Sequence, residues 1–345
     1  MKGFRCFYCW MKSLFLFNYF YRKALSTKMS SSNVRQFNEL PFRPGDPPYS
    51  AWGMWEKKHL GSLNYLDDQM VLKAATEEIR IGQRVLLNLP LDNFDPPLLG
   101  RQAFERRIID KAPKVINDDV ITFNTQGSSQ WDSFRHFAYQ GHAQFYNGVT
   151  QDDIHGDSCS TAGACSSWEG GIAGRGVLVD YYSWALKNEV NYNAVGTHAC
   201  QLDQIKQILS EQNTSLQPGD ILFLRTGYVA EYSKLDGAGR EAVSKNANFP
   251  GLHQSRETTE WLWEHQFAAV AADSPAFECA PPADADWMLH PILLSGWGTP
   301  IGELFDLEQL AGICKRLNRW SFFLTSSPLN YTGSVATPPN AMAIF

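Results

Sequence analysis

Three short apolar runs in the middle of the chain constrain its fold more than any other feature. They lie at 176–182 (GVLVDYY), 220–226 (DILFLRT) and 267–272 (FAAVAA). Each has the length of a strand buried on both faces. A strong turn sequence at 217–220 (QPGD) introduces the second run. Apolar residues at helical spacing predict helices around these runs, at 201–212, 255–266 and 306–316. This alternation predicts a mixed α/β fold with a central sheet.

The segments before these runs extend the same pattern. Residues 67–81 have helical periodicity, with Asp67 as the predicted N-cap and Gly82 as the predicted end. Strands are predicted at 84–90 and 120–126. Because no linker interrupts the pattern after the Pro-rich and Gly-rich stretch near residue 40, we expect one domain over residues 40–345.

Composition excludes some classes of protein and singles out the first 28 residues. The 345-residue chain has 30 Lys and Arg against 36 Asp and Glu, a balance that argues against nucleic-acid binding. Residues 1–28 are basic, aromatic and free of acid, so we expect an extension outside the fold or a mitochondrial transit peptide. Their apolar stretches are too interrupted to span a membrane. The seven cysteines are an odd number and no secretory signal is evident, so reduced thiols and a cytoplasmic protein are expected, or a mitochondrial one if the segment is a transit peptide.

Candidate chemistry first occurs at 126–136 (QGSSQWDSFRH), directly after a predicted strand. Gln126, Gln130, Asp132 and His136 lie within these eleven residues. Asp132 and His136 converge if the chain turns tightly between them. A carboxylate and an imidazole can hold a metal ion or perform acid–base chemistry. A purely structural role remains open, because Asp and His four residues apart often occur by chance.

A second candidate pair, His290 and Glu303, lies near the C-terminal end. Leu304, Leu307 and Leu310 follow at helical spacing and are expected to form a buried helix face. Glu303 is then expected at the start of that helix, where a carboxylate interacts favourably with the helix dipole. A helix-stabilising role is therefore the structural alternative for Glu303.

The order of several segments from about Trp52 to about residue 315 resembles the metal-dependent cyclase family, whose members include kynurenine formamidase and isatin hydrolase. The segments that carry the resemblance are 60–64 (LGSLN), 170–178 (GGIAGRGVL), 218–227 (PGDILFLRTG), 249–252 (FPGL) and 273–275 (DSP), followed by His290 and Glu303. The resemblance implies a single α/β domain with the swivelling β/β/α fold of that family. It also implies a homo-oligomer, a dimer or a tetramer.

The resemblance also assigns roles within the candidate site. The family motif H-x-G-T-H-x-D-x-P-x-H places its aspartate on Asp132 and its last histidine on His136. His136 then resembles the catalytic acid–base, and Asp132, His290 and Glu303 resemble metal ligands. The first two motif histidines fall on Gln126 and Gln130, which are the remaining candidate ligands. Neutral amide oxygens are poor Zn²⁺ ligands. One Zn or Mn ion is therefore expected rather than two.

The implied function is metal-dependent hydrolysis of a carbon–nitrogen bond in an amide. An arylformamidase that converts N-formylkynurenine to kynurenine in tryptophan catabolism is one candidate. Alternatives are a hydrolase of lactones or cyclic amides, a metal-free lyase or cyclase, and a non-catalytic binding protein on the same scaffold. The expected partner is a small molecule, and an aromatic one would suit the tryptophans Trp52, Trp55 and Trp131. The same tryptophans could instead belong to the core.

Overall fold

A nine-stranded mixed sheet forms the centre of the fold. The computed structural model describes residues 36–156 and 163–345. The predicted extension at 1–28 lies outside the described residues and stays a prediction. From Phe37 onward the described residues pack around the sheet as one unit, which confirms the predicted single-domain α/β architecture. Within the described residues no helix is both long enough and apolar enough to cross a membrane.

Strands and helices are interspersed along the described chain. The strands are β1 (Arg84–Leu86), β2 (Glu105–Asp110), β3 (Asn117–Thr122), β4 (Gln130–Asp132), β5 (Ile172–Val179), β6 (His198–Cys200), β7 (Ile221–Leu224), β8 (Pro250–Leu252), β9 (Ala269–Ala272), β10 (Ile301–Glu303), β11 (Ser321–Ser326), β12 (Ala336–Thr337) and β13 (Met342–Ile344). The α-helices are α1 (Asp68–Glu78), α2 (Gln151–His155), α3 (Tyr181–Lys187), α4 (Leu202–Glu211), α5 (Tyr228–Tyr232), α6 (Gly237–Ser244), α7 (Arg256–Glu264) and α8 (Glu308–Leu317). A π-helix spans Pro291–Trp297, and short 3₁₀ turns include Lys58–Tyr65 and Leu98–Gly100.

The order of the central sheet is β1-β13-β11-β5-β7-β9-β10-β4-β12. Strands β5, β7, β9 and β10 run parallel to their neighbours in that series, and the remaining pairs are antiparallel. Every residue of β7 and β9 is buried, as their apolar runs predict. Two smaller pairs, β2–β3 and β6–β8, lie outside this sheet.

Local side-chain caps determine where the helices begin. The Asp67 carboxylate accepts a hydrogen bond from the Met70 amide at 2.8 Å, which confirms the predicted N-cap of α1. Ser255 caps α7 in the same way, from the Thr258 amide at 3.1 Å. The predicted end at Gly82 is wrong, because Ile79 already has an extended backbone and closes α1 after Glu78.

Two predicted strands begin and end earlier than their runs in the sequence. The strand predicted at 120–126 ends at Thr122, so Gln126 lies in the following loop. The strand predicted at 176–182 ends at Val179 because Asp180 caps a helix there, accepting from the Ser183 amide at 3.1 Å. Both tyrosines of that run therefore belong to α3.

The C-terminal helix begins later than the leucine spacing predicts. Helix α8 begins at Glu308, whose amide donates to Asp306 Oδ1 at 3.2 Å. Leu304 has a φ of 55° and so lies outside the helix, contrary to the predicted helix face. Glu303 is the last residue of β10. The expected helix-dipole role of Glu303 is therefore wrong, and its carboxylate belongs to the sheet.

A core of large aromatic side chains packs against the sheet. Phe223, Phe305 and Phe322 are fully buried, and the ring centroid of Phe223 lies 5.5 Å from that of Phe305 and 5.6 Å from that of Phe322. The three tryptophans considered for substrate stacking also belong to this core: they are Trp52, Trp55 and Trp131, with exposures of 4 %, 5 % and 0 %. The structural alternative for these tryptophans is therefore confirmed.

One close backbone approach fixes the segment that follows the π-helix. The Ser62 amide donates to the Gly298 carbonyl at 2.8 Å. At the neighbouring Gly61 a Cβ would overlap that carbonyl, and φ is 53°. Glycine satisfies both constraints because it lacks a Cβ and tolerates positive φ. This contact holds the 3₁₀ segment Lys58–Tyr65 against Gly298, the residue that follows the π-helix.

Candidate active site

Two adjacent strands bring three of the candidate side chains together. Strand β4 carries Gln130 and Asp132, and strand β10 carries Glu303. The antiparallel register pairs Glu303 directly with Gln130. All three residues are buried, with exposures of 2 % or less. Residues about 170 positions apart in sequence therefore become neighbours through sheet pairing.

His136 reaches the same point through a tight turn after β4. The His136 amide donates to the Ser133 carbonyl at 3.0 Å, which reverses the chain. His136 Nε2 then lies 3.9 Å from Asp132 Oδ2, and the His136 side chain is 24 % exposed. The predicted convergence of Asp132 and His136 is confirmed, whereas their chemical roles stay predictions.

His290 completes the group from the opposite side, at the residue before the π-helix. Its Nε2 lies 4.0 Å from Asp132 Oδ2 and 3.0 Å from Glu303 Oε1. Glu278 holds its other side, accepting from the His290 amide at 2.9 Å and lying 2.9 Å from His290 Nδ1. Ligand atoms of Asp132, His136 and His290 all lie within 4.8 Å of one another.

The two glutamines direct their amide nitrogens at the carboxylates. Gln126 Nε2 donates to Asp132 Oδ1 and lies 3.2 Å from His136 Nδ1. Gln130 Nε2 donates to Glu303 Oε2 at 2.6 Å and to Gln126 Oε1 at 2.8 Å. Each amide thus supplies hydrogen-bond donors where the family motif has a histidine. The amide nitrogens cannot bind a cation, whereas Gln130 Oε1 is buried and has no hydrogen-bond partner among the described residues. The ligand role of the two glutamines stays a prediction.

Burial and mutual interactions shift the pKa values of the acidic and basic groups. Burial alone would lower the pKa of His290, but Glu278 and Glu303 raise it well above its ordinary value. Burial, reinforced by the charge of Asp132, raises the pKa of Glu303 to about 7. Burial lowers the pKa of His136, although Asp132 partly opposes this effect. His136 is therefore neutral near pH 7.

The donor set fits one divalent cation. Asp132 Oδ2 is buried and accepts no hydrogen bond from any described residue, although Asp132 Oδ1 has the Gln126 amide. A buried carboxylate oxygen without a partner is unfavourable unless a cation satisfies it. The carboxylates of Asp132 and Glu303 with the imidazole of His290 form a donor set that suits a cation such as Zn²⁺ or Mn²⁺. The site would then hold the ion between Asp132 and His290.

A cavity of about 160 Å³ opens in front of this group. Its polar wall contains His136, His290 and Glu303. The rest of the wall is largely apolar and includes Leu99, Phe137, Phe249, Pro275 and Met288. Most of these residues come from loops at strand and helix ends. The arrangement can therefore hold a small, mainly apolar molecule against an acid–base pair.

Sequence reasoning missed two charged residues of this cavity. Glu278 is an isolated acid in an apolar stretch (SPAFECAPP, 274–282), which is a weak signal for a buried functional carboxylate. Arg101 lines the cavity and donates through Nη1 to the Gln126 carbonyl. Nothing in the sequence distinguishes Arg101 from the other 29 Lys and Arg residues, because only the fold brings it to the site.

Comparison with known proteins identifies the family. The model of the Cyclase family matches residues 48–279, which is more than half of the chain. The chain belongs to the cyclase family. The match includes the segment from Gln126 to His136 and ends one residue after Glu278, before His290. A comparison with curated proteins gave no match.

Solved structures agree with this membership. A protein described as a novel cyclase is 30 % identical, with 86 % of this chain and 99 % of that chain covered and a TM-score of 0.75. Isatin hydrolase A from Labrenzia aggregata, bound to benzyl benzoate, is 17 % identical over 80 % of this chain and 97 % of its own, with a TM-score of 0.55. Isatin hydrolase A from Ralstonia solanacearum is 16 % identical over the same shares, with a TM-score of 0.54. At such identities the two hydrolases show a shared fold alone.

Proposed function

We propose that this cyclase-family protein is a hydrolase that uses one Zn or Mn ion to cleave a carbon–nitrogen bond in a small amide, as an arylformamidase does. The observation that carries the proposal is the convergence of Asp132, His136 and His290, of which the two histidines line a cavity. The family membership supports it. An N-formylated aromatic amine such as N-formylkynurenine is the proposed substrate type, and lactones and cyclic amides are related candidates.

Asp132 and His290 are the proposed ligands, with Glu303 as the third. Glu303 Oε1 lies 3.0 Å from the His290 nitrogen that faces Asp132, so both groups are within reach of the same ion. A bound divalent cation supplies Lewis-acid chemistry, because it polarises a carbonyl group and lowers the pKa of water. Glu278 fixes the orientation of the His290 ring from the opposite side, as carboxylates commonly do for ligating histidines.

His136 is the proposed acid–base. Its side chain is the partly exposed one of the group and faces the cavity, and its lowered pKa leaves it neutral near pH 7. A neutral imidazole can accept a proton from attacking water and return it to the leaving nitrogen. Such proton transfer typically contributes about 10²- to 10⁴-fold to the rate.

The test separates the acid–base role from a ligand role. In protein supplemented with Zn²⁺, His136→Ala should lower the hydrolysis of N-formylkynurenine by at least about 100-fold while leaving the metal content near one ion per chain. Asp132→Ala should remove the ion. The exposed His142 provides the matched control, since His142→Ala should change neither. Full turnover in His136→Ala, or loss of the ion in that variant, would refute the assigned role.

One observation favours a second candidate, a metal-free lyase or cyclase that uses Asp132 and His136. The Gln126 and Gln130 amides already satisfy one oxygen of Asp132 and one of Glu303 without an ion. Activity that persists after chelation and dialysis would favour this candidate over the hydrolase.

A further inference from the structure

Arg101 is a cavity-lining guanidinium that no carboxylate neutralises within the described parts of the chain. It follows the 3₁₀ turn Leu98–Gly100 and is partly buried. Its Nη1 donates to the backbone carbonyl of Gln126, and this hydrogen bond holds the guanidinium beside the site. Within residues 36–156 and 163–345, no Asp or Glu oxygen lies within 4.0 Å of its nitrogens. The other guanidinium donors thus remain available to a ligand.

The carboxylates at the cavity make their short contacts with groups other than Arg101. Glu278 and Glu303 both line the cavity, and His290 lies between them at 2.9 and 3.0 Å. Glu303 also accepts from the Gln130 amide, and Asp132 accepts from the Gln126 amide. Each of the three acids therefore has at least one partner other than Arg101, although Asp132 Oδ2 has none among the described residues. The charge of Arg101 acts on Glu303 at longer range and lowers the pKa of that carboxyl, but its remaining N–H donors contact no carboxylate in the described ranges.

The size of the cavity limits the body of the ligand. A volume of about 160 Å³ is close to the roughly 150 Å³ of an apolar cavity that binds benzene. It is well below the roughly 300–1,000 Å³ of pockets for drug-sized ligands. Phe137, Phe249 and Met288 supply apolar surface on the walls. The space therefore suits about one aromatic ring with one or two small substituents.

From these observations we infer that the ligand of this cavity is a small carboxylic acid with a body of about one ring, and that Arg101 binds its carboxylate. The planar guanidinium matches a carboxylate with two parallel N–H donors, which makes arginine more specific for this group than a lysine ammonium. Arg101 thus selects the substrate, whereas Asp132, His136 and His290 act on the bond that is cleaved. The division of roles between Arg101 and the other three residues rests on the proposed function. The binding of the acid does not, because it can be measured without any reaction.

The experiment compares an acid with its uncharged ester. Binding of 2-aminobenzoate and of methyl 2-aminobenzoate is measured by isothermal titration calorimetry, with Zn²⁺ added and again after chelation. The wild-type protein should bind the acid at least about 10-fold more tightly than the ester. Arg101→Gln should weaken acid binding about 10- to 100-fold and ester binding less than threefold. The exposed Arg106 is the matched control, and Arg106→Gln should bind both ligands as the wild type does.

Each outcome decides the inference. Equal affinity of the wild-type protein for acid and ester would overturn it without any variant, as would an equal loss for both ligands in Arg101→Gln. Loss of acid preference in Arg106→Gln would also overturn it, because general surface charge would then explain the binding. Acid binding through Arg101 without hydrolysis of any N-formyl substrate would refute the proposed function and leave the inference intact. Hydrolysis of uncharged formanilide by a protein that binds no acid would refute the inference and leave the proposed function intact.

Discussion

Replacement of Gln130 by leucine tests whether the buried amides hold the two carboxylate strands together. Gln130 is fully buried, and its Nε2 donates to Glu303 at 2.6 Å and to Gln126 at 2.8 Å. A hydrogen bond to a charged group contributes about 1.5–3 kcal/mol, and a neutral one about 0.5–1.5 kcal/mol. Leucine has a similar volume, so the substitution creates little cavity. It also removes the Gln130 Oε1, which has no donor among the described residues and whose loss returns about 1 kcal/mol.

The expected net loss in the free energy of unfolding is about 1–3 kcal/mol at pH 8, measured by urea denaturation of metal-free protein. The loss should shrink at pH 5, because Glu303, with a pKa of about 7, is then protonated. Gln207 provides the matched control, since its amide donates to Glu211 at 3.0 Å on an exposed helix surface. Gln207→Leu should change stability by less than about 0.5 kcal/mol. Equal effects of the two substitutions would refute the reasoning.

Three further predictions concern protonation, metal binding and backbone packing. Because burial raises the pKa of Glu303 from 4.5 to about 7, the metal-free protein should lose stability as pH rises from about 5 to about 7, and Glu303→Gln should flatten that part of a thermal-melting series. Glu278→Gln should weaken Zn²⁺ binding about 10- to 100-fold in a chelator competition, because the His290 ring loses its charged partner; unchanged affinity would contradict this. Gly61→Ala should lower the free energy of unfolding by more than about 3 kcal/mol, because the added Cβ overlaps the carbonyl of Gly298. Gly312 has open space around it inside helix α8, so Gly312→Ala should raise the free energy of unfolding by about 0.5–1 kcal/mol.

The central elements could be predicted because their signals are local. The runs that form β7 and β9 consist almost entirely of apolar residues, which is enough to predict buried strands from the sequence. The cap of α1 depends only on Asp67 and on Met70, three positions later. The approach of Asp132 and His136 was predictable for the same reason, since one turn joins them. Local signals failed at Gly82, because the helix ends at Glu78 and the amides of Ile81 and Gly82 donate to the distant Phe345 carbonyl.

The remainder of the site depends on pairing between distant segments. Glu303 reaches Gln130 only through the register of β10 against β4, so leucine spacing wrongly suggested a helix start. Glu278 and Arg101 reach the cavity on loops whose paths no local pattern reveals. The unusual glutamines were visible in the sequence, but the direction of their amides was not, because it depends on which carboxylates surround them.

The amide pair has a consequence for how such a site can change over generations. The Gln130 amide nitrogen donates to both Gln126 and Glu303. Replacing one glutamine by histidine therefore removes the hydrogen bond between the two amides and leaves the buried amide of the other glutamine without that partner. A lineage that changed one position at a time would pass through a less stable ancestor. The two positions should therefore be inherited as a unit, so that relatives carry both glutamines or both histidines and mixed pairs are rare.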